Sequence, residues 1–114
     1  MVACHHPLID AGTHSTGSTR GGTRALAALA RAGAQVVLSG HVHDPFDLTA
    51  ETAHGPLRMI GAGTLSRRTR STPPSFNELT ILGRAVQVKV RNPEALPTAA
   101  MQVSEVPEGA SLPG

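Results

Sequence analysis

The chain has 114 residues, 39% of them hydrophobic, and a formal charge of +2, with Phe46 and Phe76 its sole aromatic side chains. That is room for one small domain whose core rests on Val, Leu, Ile and Ala. No apolar run approaches the ~18 residues of a membrane span, and no basic segment leads into an apolar leader, so neither a membrane nor a secretory role is expected.

In chain order, Met1–Cys4 reads as the end of a buried strand. Residues 8–17 are rich in Gly, Ser, Thr and Asp and read as a loop. A helix is expected from about Arg20 to Arg31, capped by Ser18 or Thr19, with Leu26, Leu29 and Ala30 on its apolar face and Gly33 as its stop. The pair Gly21-Gly22 weakens its first turn by ~1 kcal/mol each relative to Ala. Gln35–Leu38 is short and apolar on both parities, as in a strand covered on both faces. Strand, helix and strand together predict a βαβ crossover with a parallel strand pair.

After His43 the pattern changes to short strands at 46–50, 56–60, 75–82 and 85–90. His54-Gly55-Pro56 and Leu82-Gly83-Arg84 are the hairpin connections. Val86, Val88 and Val90 alternate with polar residues, which marks a half-buried strand. From residue 93 onward prolines recur among few large apolar residues, so 93–114 reads as a disordered tail behind a folded part at 1–92.

Chemistry concentrates in two motifs that follow strands: Cys4-His5-His6-Pro7 and Ser39-Gly40-His41-Val42-His43. Strand exits are where open α/β sheets carry their sites, and imidazole suits zinc, iron, manganese and similar ions. If 41–43 is extended, His41 and His43 point the same way, with Cα atoms ~6.5–7 Å apart. That spacing serves one metal or one imidazole on each of two metals. Gly40 gives the turn before them conformational freedom. The ligands read from this pattern are His5, His41 and His43. His6 is ambiguous, either pointing to the opposite face by alternation or contacting a substrate. Cys4, which by the same alternation faces away from His5, reads as a buried small hydrophobe. His14 and His54 read as loop and turn residues. Asp44 and the more distant Asp10 are the nearby carboxylates, and neither is a convincing bridge between two ions.

The lone cysteine cannot form an internal disulfide, which with the missing export signal favours a cytoplasmic setting. Arg67-Arg68-Thr69-Arg70 is the one dense basic stretch; it is too short, and too poor in aromatic neighbours, for a nucleic-acid footprint. Near a metal site it suits a small anionic substrate such as a phosphoester.

His5-His6-Pro7 and Gly40-His41-Val42-His43 resemble the H-x-P and G-H-x-H motifs of the calcineurin-like metallophosphoesterases. Gly61-Ala62-Gly63-Thr64 and Pro74-Ser75-Phe76-Asn77-Glu78-Leu79 are similar to the closing hairpins of the small bacterial members, so the resemblance spans roughly residues 1–91. It implies an α/β fold, the C-terminal portion of a two-sheet β-sandwich flanked by helices. It also implies a dinuclear centre of Mn, Fe or Zn, in which His5 and His41 bind the second metal and His43 the first, hydrolysing a phosphodiester or phosphomonoester by in-line attack of water.

The family's D-x-H, G-D and G-N-H-[DE] motifs, which carry the bridging Asp, an Asn ligand and the catalytic His, occur nowhere in this sequence. The chain is therefore expected to be the C-terminal half of such an enzyme and inactive by itself, with no catalytic residue of its own. The alternatives are a non-catalytic module that binds one metal or a partner chain, and the inactive remnant of a broken gene.

Overall fold

The computed structural model describes residues 1–12, 19–66 and 72–93. Its elements are β1 (Val2–Ala3), α1 (Gly22–Arg31), β2 (Val36–Ser39), β3 (Phe46–Thr52), β4 (Gly55–Gly61), β5 (Phe76–Leu82) and β6 (Ala85–Arg91). The Pro-rich segment 94–114, the Arg67–Arg70 loop, His14 and the Ser18 cap lie outside the described residues.

The architecture is α/β: one helix, a four-stranded mixed sheet in the order β1-β2-β4-β3, and a separate β5-β6 hairpin. β1 pairs with β2 in parallel, Val2 opposite Val37 and Ala3 opposite Leu38, with α1 in the connection as the apolar pattern predicts. β4 adds to the other side of β2, again in parallel, and returns antiparallel along β3. No helix among the described residues is long and apolar enough to cross a membrane.

The helix begins differently from the expectation. Its N-cap is Gly21 in a left-handed conformation (φ +74°), with no capping side chain. The Thr19 hydroxyl donates instead to the Pro7 carbonyl. Gly22 is then the first helical residue for a tertiary reason: a Cβ there would overlap the Leu8 carbonyl oxygen. At the other end Ala34 N–H donates to Leu29 O and Gly33 N–H to Ala30 O, with Gly33 at φ +89°. This is the Schellman arrangement expected of a glycine stop.

Leu26 and Ala30 bury the helix's apolar stripe against Val37, Leu57 and Met59, with Val2, Cys4, Leu8 and Leu29 packed around them. The opposite face of the sheet carries Val36, Arg58 and Ile60, whose positions alternate with that core set. There the Arg58 guanidinium pairs with Asp47 (2.6 Å) and also donates to the Val86 carbonyl of β6. Asn77 of β5 donates to the Gly61 carbonyl (3.0 Å), so the second hairpin is tied to the end of β4.

Both hairpins are closed by two-residue loops, Ala53-His54 and Gly83-Arg84. The first therefore turns before Gly55, and Pro56 is inside β4 opposite Glu51. This costs no ladder bond on the β2 side, where pairing begins at Arg58.

Candidate metal centre

β1 and β2 keep their parallel pairing beyond the regular strands: Cys4 N–H donates to Leu38 O (2.9 Å) and Gly40 N–H to His5 O (3.0 Å). Those bonds carry the His5 backbone to the foot of the 40–43 turn. Pro7 is buried, and Cys4 packs against the core with its thiol on the His6 carbonyl (3.3 Å), so the His5-His6 dipeptide is anchored at both ends. Burial pushes the Cys4 thiol above its ordinary pKa, as befits a packed side chain rather than a reactive one.

Segment 41–43 is not extended. Val42 N–H donates to Gly40 O (2.8 Å), an i to i+2 bond that closes a γ-turn about His41, whose φ is +67°. The positive-φ form of that turn is the rare, strained one. His43 is left-handed as well, at φ +63°. Gly40 does not carry a left-handed φ, and a Cβ there would lie 4.0 Å from its nearest neighbour, so the conformational demand falls on the histidines themselves. Between them Val42 is 8% exposed and plugs the turn into the protein, leaving both imidazoles in solvent.

The turn brings His41 onto His5, with Nδ1 of the first 3.2 Å from Nε2 of the second. His6 joins them, its ring centroid 4.2 Å from that of His41 and 4.7 Å from that of His5. One nitrogen from each of His5, His6 and His41 lies within 4.8 Å of the other two. His43 is exposed and outside this group. Alternation therefore fails twice, because it belongs to extended backbone. The chain bends at His5-His6, so His6 does not turn away from His5. The positive φ of His41 and His43 leaves His43 outside the group that His41 joins.

The donor set fits a metal. Two nitrogens on one tetrahedral ion at ~2.0–2.1 Å stand ~3.3–3.4 Å apart, close to the spacing of His5 and His41. Without an ion the same approach is a hydrogen bond in which one ring keeps its proton. Neither carboxylate joins the group. Asp44 is buried and accepts from the Thr72 hydroxyl (2.7 Å), which also donates to the His43 carbonyl (3.3 Å). Asp10 accepts from Gly12 N–H in its own loop (2.9 Å). His54 is exposed in the first hairpin loop, its N–H on the Thr52 hydroxyl.

The Gly61–Thr64 and Ser75–Asn77 segments meet at the junction of the two sheets. Ser75 N–H donates to Thr64 O, and a Cβ on Gly63 would overlap the Ser75 hydroxyl. Gly61 lies under the Phe46 ring across the β3–β4 pair. These glycines are set by close approach, not by chemistry. No protein-family model matches the chain, and no curated protein or solved structure matches it.

Proposed function

We propose that this chain supplies histidine ligands to a metal-dependent phosphoester hydrolase site of the calcineurin-like metallophosphoesterase type. The observation that carries the reading is the 3.2 Å approach of His5 Nε2 and His41 Nδ1, from two parallel strand exits pinned together by the Gly40–His5 bond. The resemblance of both motifs to H-x-P and G-H-x-H supports it further.

In this reading His5 and His41 would hold one ion of a dinuclear pair and His43, exposed two residues further along the same loop, would hold the other. Divalent ions such as Mn, Fe or Zn supply charge neutralisation at the phosphoryl oxygens and an activated water. The chain's own contribution is to orient imidazoles: the γ-turn fixes His41, Val42 anchors it, and the Asp44–Thr72 bond fixes the exit of the loop. A bridging carboxylate is needed to hold two cations together, and the sequence has no D-x-H or G-D to provide one. The substrate is a small phosphoester, the setting cytoplasmic, and the activity belongs to a protein that joins these histidines to the remaining motifs.

Two measurements test this. The purified chain with excess Mn²⁺ should leave an aryl phosphodiester intact. The DNA preceding the Met1 codon should continue in frame through D-x-H, G-D and G-N-H, and the extended product should hydrolyse the same compound, with His41→Ala abolishing turnover. An extended product that is folded, loaded with Mn²⁺ and inactive would refute the reading.

A further inference from the structure

We infer that His5, His6 and His41 form a mononuclear, imidazole-only site for one borderline divalent transition ion, with His6 as a ligand. The inference shares the His5–His41 pair with the proposed function but needs neither phosphoester chemistry nor a second ion.

Three observations carry it. The nitrogens already converge: all three rings present one within 4.8 Å of the others, and the His6 and His41 centroids are the closest pair at 4.2 Å. The backbone beneath them is held by Cys4–Leu38, Gly40–His5 and Gly40–Val42 hydrogen bonds, while the rings themselves are exposed. The exposed rings leave solvent-side room for the small side-chain rotations that close a coordination sphere. Finally, the left-handed φ of His41 is a strained conformation spent on aiming one ring at the other two.

The chemistry of the donors selects the ion. With three imidazoles and no carboxylate or thiolate in the group, affinity should follow the Irving–Williams order, Cu²⁺ above Ni²⁺ and Zn²⁺ and all of these above Mn²⁺. Three protein ligands leave the solvent side of the ion open, as in zinc sites that keep an exchangeable position. His43 has no part in this site.

The test is titration of the purified chain and of His6→Ala and His43→Ala variants with Zn²⁺ and Mn²⁺ by calorimetry, and with Cu²⁺ by electron paramagnetic resonance. One ion per chain is expected, with Zn²⁺ preferred to Mn²⁺. His6→Ala should weaken Zn²⁺ by at least the ~10–100-fold that losing a partner of a ligand costs, and His43→Ala should leave it within about 2-fold. The Cu²⁺ spectrum of the unmodified chain should carry couplings from three nitrogens, a readout that does not depend on any variant folding. Unchanged Zn²⁺ affinity in His6→Ala, or a two-nitrogen Cu²⁺ spectrum, would overturn the inference. If binding instead required His43 and not His6, the mononuclear site would fail while the dinuclear proposal stood. A three-nitrogen site together with an inactive extended enzyme would establish the mononuclear site and refute the dinuclear proposal.

Discussion

A left-handed backbone costs a non-glycine residue ~1–2 kcal/mol, histidine being among the more tolerant types. The chain meets that cost twice within three residues, at His41 and His43. At His41 the conformation has a visible use, since it delivers the ring to His5; at His43 the ring stays apart from the cluster. His43→Gly should therefore raise stability by up to ~1 kcal/mol, and His43→Val, β-branched where φ is +63°, should lower it by ~1–2 kcal/mol. Urea unfolding followed by circular dichroism decides the sign, and a loss of stability on His43→Gly would mean that the ring has a partner of its own. The motifs holding His5 and His41 were legible because each follows an apolar run. The membership of His6 was not legible, because period-two alternation presumes extended backbone and the chain bends at His5-His6. The separation of His43 was not legible either, because nothing local announces that two histidines rather than Gly40 take the positive φ.

At the scale of elements, apolar periodicity located the helix and the parallel strand pair, which bury a pattern written locally, and turn residues located both hairpins. The alternation of β6 holds at Val86 and Val88 and fails at Val90, which is exposed. The start of the helix escaped because its cause is tertiary. Gly22 reads from sequence as a weak helix former, whereas in the fold it is the residue that lets α1 pass the Leu8 backbone. Propensity and packing predict opposite signs for its replacement. Propensity alone makes Gly22→Ala stabilising by ~1 kcal/mol; the close approach makes it destabilising, by more than ~2 kcal/mol, because the obstacle is main chain and cannot rotate away. Leu57, fully buried in β4 under the helix, gives the reference for a simple cavity, and Leu57→Ala should cost ~2–5 kcal/mol. Thermal melts of both variants test the point, and a Gly22→Ala protein that melts above the unmodified chain would remove the close approach as an explanation.

For the whole molecule the question is what keeps the β5–β6 hairpin on the main sheet. Ile81, Leu82 and Val90 of that hairpin are exposed while Phe76, Leu79, Val86 and Val88 are half-buried, so partial apolar burial acts together with the polar ties at Asn77–Gly61 and Arg58–Val86. Arg58 is itself oriented by Asp47, whose carboxyl is held below the ordinary carboxylate range first by the hydrogen bond from Arg58 and then by its charge. A carboxyl whose folded pKa is depressed stabilises the fold above its unfolded value, ~3.9 for Asp, and that contribution fades as pH falls through the lower folded value. Both partners are about a third or more exposed, at 30% and 42%, so screening keeps the contribution within ~0.2–1 kcal/mol. Asp47→Asn should thus unfold at slightly lower urea than the unmodified chain at pH 7. The two should converge as the pH is taken below the Asp range, and added salt should shrink the pH 7 difference. Because the pair orients the guanidinium that reaches Val86, the same variant should speed amide exchange in β6 more than in β2 when both are measured at pH 7. A pH-independent difference between the two proteins, or exchange that quickens equally in both strands, would assign Asp47 a packing role and leave the hairpin held by something other than Arg58.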